Sequence, residues 1–90
     1  MKLKTIENIR KKQEDSFLYY RNDYLADAVF EYGKEPIEEK IPILITIEKN
    51  ALGQAKVSVT ITKHINYPMV SAIKILKTEV LKMQSEGKFN

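Results

Sequence analysis

The sequence predicts an α+β fold in the order α–β–β–α: a long N-terminal amphipathic helix, an antiparallel β-hairpin and a C-terminal helix. Three observations predict it. Apolar residues recur at steps of three and four from Thr5 to Tyr32, two segments between Ile43 and Lys63 alternate with period two, and a second helical stripe follows Pro68. Ninety residues with 43% hydrophobic and 30% charged content make a single domain over 1–90 with enough apolar surface to offset chain entropy.

The first helix is expected over 5–32, where Ile6, Ile9, Gln13, Phe17, Tyr20, Tyr24 and Ala28 mark the buried stripe. Thr5 is its candidate N-cap and Gly33 its stop, with a break near Asp15-Ser16 left open. A continuous helix of that length spans ~42 Å. That exceeds the roughly 30 Å diameter of a compact chain of this size. Lys34 to Pro42 reads as an extended connector, because Pro36 and Pro42 bracket an acidic run.

The hairpin is expected at 43–48 and 56–63, around a loop containing Gly53. Ile43, Ile45, Ile47, Val57, Val59 and Ile61 form its core face; Leu44, Thr46, Glu48, Lys56, Ser58, Thr60 and Thr62 form the other. Two strands alone leave two open edges, so the sheet is expected to be completed in a homodimer. The last helix, over 68–85, buries Met69, Ala72, Ile73, Leu76, Val80 and Met83 and ends before Gly87.

The composition excludes much chemistry. With no cysteine there is no disulfide framework, thiolate zinc site or cysteine nucleophile, and one histidine argues against imidazole metal sites. No phosphate-binding glycine loop, nucleophile elbow or calcium loop occurs. The expectation is therefore a protein that is not an enzyme and carries no cofactor or metal. No apolar run approaches the ~20 residues of a membrane span. The charged N-terminus lacks a secretory h-region, so the expected location is cytoplasmic.

Three binding chemistries remain. Aromatic residues crowd the first helix, and Phe17, Tyr19, Tyr20, Tyr24, Asp27, Phe30 and Glu31 form the candidate partner or dimer interface. Tyr19 and Phe30 are expected to be exposed, beside an acidic ridge of Asp23, Asp27 and Glu31. Lys56, Lys63, Lys74, Lys77 and Lys82 form a candidate nucleic-acid footprint, since residues 41–90 are net basic. Thr60, Thr62, His64 and Tyr67 could line a small polar ligand site between subunits. The leading expectation is a small non-catalytic interaction protein acting on a protein partner as a homodimer. An adaptor, regulator or inhibitor of phage or mobile-element type fits that description. Nucleic-acid binding is the first alternative and ligand binding the second.

Overall fold

In the computed structural model, residues 2–12, 21–33, 37–63 and 68–89 are described. Four strands, β1 (Lys2–Lys11), β2 (Arg21–Tyr32), β3 (Ile37–Lys49) and β4 (Ala55–Ile61), precede one helix, α1 (Met69–Ser85). The strands form one antiparallel sheet in the order β1-β2-β3-β4, each pairing with its sequence neighbour. The protein is thus predominantly β with a single helix.

The long N-terminal helix predicted over 5–32 is overturned, because its described residues belong to β1 and β2. The reason lies in the spacings. A step of four returns to the same side of a helix and also to the same face of a strand, so Tyr24 and Ala28 satisfy both patterns. Between them stands Ala26, and beyond them Phe30 and Tyr32, which complete a period-two run along β2. Phe30, expected at the surface, is fully buried, as a period-two face requires. Steps of three in β1 have a different origin. Leu3 pairs with Phe30 and Ile6 with Ala28, so β1 advances three residues while β2 advances two. Register shifts between Leu3 and Thr5 and between Glu7 and Arg10 insert the extra residues, and Asn8 takes a left-handed φ of 55°.

Ile37–Pro42, predicted as a connector, is also strand. All of it pairs with β2, from Tyr32↔Ile37 to Asp27↔Pro42. Pro42 is tolerated because its nitrogen faces the end of β4: its carbonyl accepts from the Thr62 backbone N–H and hydroxyl, both at 3.1 Å, and the ladder stops there. The segments read as a two-stranded hairpin are therefore the last two strands of a four-stranded sheet within one chain. The incomplete-hairpin argument for a dimer no longer holds.

One face of the sheet is the core. Ile41, Ile43, Ile45 and Ile47 of β3, Val57, Val59 and Ile61 of β4, Ala26, Ala28 and Phe30 of β2 and Ile6 of β1 are buried there. Ala72, Leu76 and Val80 of α1 close over them. The helix begins at Pro68, which serves as N-cap, and ends at Gly87, whose φ of 78° suits glycine. Gly87 N–H donates to the Gln84 carbonyl and Lys88 N–H to that of Met83, the paired bonds of a Schellman stop. Past it, Phe89 returns to the sheet. Its ring meets Tyr24 at 5.1 Å between centroids, and the Tyr24 hydroxyl donates to its carbonyl at 2.9 Å. The molecule measures 46 × 24 × 21 Å, its long axis comparable to the length of the β2–β3 ladder.

Candidate interaction surface

The face of the sheet away from α1 is a closed network of charge. Lys4 reaches the Glu38 carboxylate and lies 3.7 Å from Glu31. Lys40 pairs with Glu7 at 2.9 Å, and Asn8 donates to Asp27 at 3.1 Å. Asp23, the one buried charged residue among those described, accepts from the Thr46 hydroxyl at 2.9 Å and from Arg21 at 3.3 Å. The hydrogen bond and charge of Glu38 hold the Lys4 ammonium above the ordinary lysine range, and Glu7 does the same for Lys40. The acidic ridge of Asp23, Asp27 and Glu31 is thereby spent on internal partners. It offers little to a basic partner.

The predicted interface residues disperse. Phe17, Tyr19 and Tyr20 lie outside the described residues. Tyr24 points to the core side and is engaged by Phe89, Phe30 is buried, and Asp27 and Glu31 belong to the charge network. They make no common patch. The lysine set also divides. Lys56 projects from the open face of β4 opposite Glu48, and Lys63 follows that strand, whereas Lys74, Lys77 and Lys82 are exposed on α1 across the sheet. In the ligand set, the Thr62 hydroxyl is turned to the Pro42 carbonyl and Thr60 is exposed beside it, while His64 and Tyr67 lie outside the described residues. Among the described residues, no group of three or more His, Cys, Asp or Glu could hold a metal ion.

What the structure assembles instead lies on α1 and at the sheet edge next to it. Ile75, Thr78 and Glu79 border a concavity with Lys2 and Leu3, so that flank of the helix faces β1. At 100° per residue, Val70, Lys74, Lys77 and Leu81 fall together on the outer side toward β4, a stripe at i, i+4, i+7 and i+11. Val70 is 72% exposed and Leu81 43%. Sequence reasoning put both at the margin of the buried stripe. Only the position of the sheet shows which margin stays uncovered.

The two sheet edges differ. β1 is bulged twice, carries Lys2, Lys4, Glu7, Arg10 and Lys11, and bends at Asn8, all features that discourage another strand from pairing. β4 has no bulge and no proline, and Lys56 is its sole charge. Thr62 N–H points to Pro42 and Asn50 N–H to the Gln54 carbonyl. By alternation, the even-numbered residues of β4 bond to β3, and Ala55, Val57, Val59 and Ile61 turn their N–H and C=O groups outward. Among the described residues, nothing pairs with them.

These elements all fall within a single family match. The model of the BB_0187 family covers residues 1–85, which include every strand and the whole of α1. The chain belongs to that family. No curated protein and no solved structure matches it. In this family member, no helix is long and apolar enough to cross a membrane. The family match spans both the guarded edge and the open one.

Proposed function

We propose that this family member is a non-catalytic interaction protein of the cytoplasm, an adaptor, regulator or inhibitor that binds a protein partner as a homodimer. The observation that carries the reading is the outer stripe of α1. Val70 and Leu81 offer apolar contact, while Lys74 and Lys77 between them have no acidic partner among the described residues. Buried apolar area supplies affinity and the flanking charges supply register, so the fitting partner presents an apolar strip with an acidic rim. Crosslinking mass spectrometry on the tagged chain in native lysate tests this. The expected result is crosslinks from Lys74 and Lys77 to one foreign protein, lost in Val70→Asp/Leu81→Asp. If no foreign protein is linked through α1, or if the double variant keeps the links, the reading fails.

The same lysines support a second reading, nucleic-acid binding by α1 alone. It expects affinity for duplex DNA to fall with salt at a log–log slope near −0.9 per phosphate contact. Lys74→Glu/Lys77→Glu then abolishes binding, and Lys56→Glu, on the opposite face, leaves it unchanged. No binding at low salt sinks this reading.

A further inference from the structure

We infer that β4 is a self-recognition strand, and that two copies join through it antiparallel, about a two-fold axis at Ser58, into one eight-stranded sheet. This rests on the homodimer in the function proposed above and names how it forms. The occupant follows from the edge itself. Outward-facing groups can bond only to outward-facing groups, and these belong to the odd-numbered residues Ala55, Val57, Val59 and Ile61. An antiparallel pair of identical strands therefore needs its axis to pass through a residue rather than between two.

Centred on Ser58, the pairing uses all of β4. Val57 meets Val59 of the second copy, Ala55 meets Ile61, Lys56 meets Thr60, and Ser58 meets its own counterpart. Both faces are self-complementary. On the core side, the buried valines pair with valines, so the apolar layer continues across the axis. On the open side, the lone lysine of the strand lies opposite a threonine, and no charge faces its like. Moving the axis to Val57 sets Ile61 against Gly53 in the loop, and moving it to Val59 sets Ala55 against Lys63 beyond the strand end. Both shifts shorten the paired length. A flat, unbulged edge with one charge is the kind that natural sheets ordinarily protect, and a closed two-fold pair protects it.

The chain has no cysteine, which makes a register test clean. At the axis, Ser58 and its counterpart form a non-hydrogen-bonded pair, the closest approach of side chains in an antiparallel ladder. Ser58→Cys is expected to form an intermolecular disulfide on mild oxidation, and the double variant Lys56→Cys/Thr60→Cys likewise. Thr60→Cys alone and Ser71→Cys should stay reduced. Ser58→Lys sets like charges face to face and should weaken self-association about fivefold or more by sedimentation. Its circular dichroism should be unchanged, because Ser58 is exposed. A monomeric wild-type chain, Ser58→Cys crosslinking no faster than Thr60→Cys, or a dimer indifferent to Ser58→Lys overturns the inference. So does a monomer whose Ser58→Cys links only to a foreign protein. Loss of β4 pairing with the α1 crosslinks intact removes this inference and leaves the partner reading standing; the converse result removes only the partner.

Discussion

Asn8 shows how one residue can set the course of a strand. Its φ of 55° is a left-handed conformation that costs most side chains about 1 kcal/mol, and its side chain offsets part of that by donating to Asp27. Arg10 fixes the same bend by donating to the Asn8 carbonyl at 2.9 Å. Asn8→Ala is expected to cost about 1–2 kcal/mol in urea unfolding, and Asn8→Gly less than about 1 kcal/mol, because glycine keeps the backbone and loses only the side-chain bond. Gly53 is a purer case. Its φ is 80°, yet a Cβ there would meet nothing within 4 Å, so Gly53→Ala should cost about 1 kcal/mol by backbone strain alone. The Lys4 and Lys40 pairs give the opposite expectation, a small effect. Their raised pKa values mean that whatever stability they add is fully present through neutral pH and lost only as pH climbs through the raised values. Both ammonium groups are solvated, so replacing both lysines by Met should barely move the urea midpoint at neutral pH, and a large drop would contradict this.

At the scale of elements, α1 separates core from surface within one helix. Leu76 is fully buried and Leu81 is 43% exposed. Leu76→Ala should therefore destabilise by about 2–4 kcal/mol, while Leu81→Ala stays within about 0.5 kcal/mol in thermal melts. The helix and the alternating segments of β3 and β4 were legible in the sequence because each shows one unambiguous period. β1 and β2 were not. In β2, steps of four suit either structure, and the acids at 23, 27 and 31 repeat the same ambiguity. In β1, the two extra residues turn steps of two into steps of three. Without Lys4 and Asn8, the segment runs Leu-Thr-Ile-Glu-Ile-Arg, an open alternation that would have declared a strand. The candidate site suffered with the fold. Phe30 and Tyr24 looked like interface aromatics only on a helix, whereas Val70 and Leu81 looked marginal until the sheet fixed the side on which α1 lies.

Across the whole molecule, the meander joins each strand to its sequence neighbour, so its sheet contacts are largely local and folding should not wait on distant pairings. Hydrogen exchange should find the slowest amides in β2 and β3, which are paired on both sides over most of their length, and faster exchange in β1. The outward amides of Val57 and Val59 provide an internal gauge: they should exchange quickly in dilute protein and slow as concentration rises, while Lys56 and Ser58 stay protected throughout. Equal protection at all concentrations would count against pairing at this edge. The bulges in β1 then acquire a role in arithmetic. A sheet with two sticky edges can add copies without end, whereas one with a single sticky edge stops at two. Lys4 and Asn8 are what make the second edge unusable. A chain lacking both residues should keep its core face, gain a straight β1, and lengthen into fibrils where the natural chain halts.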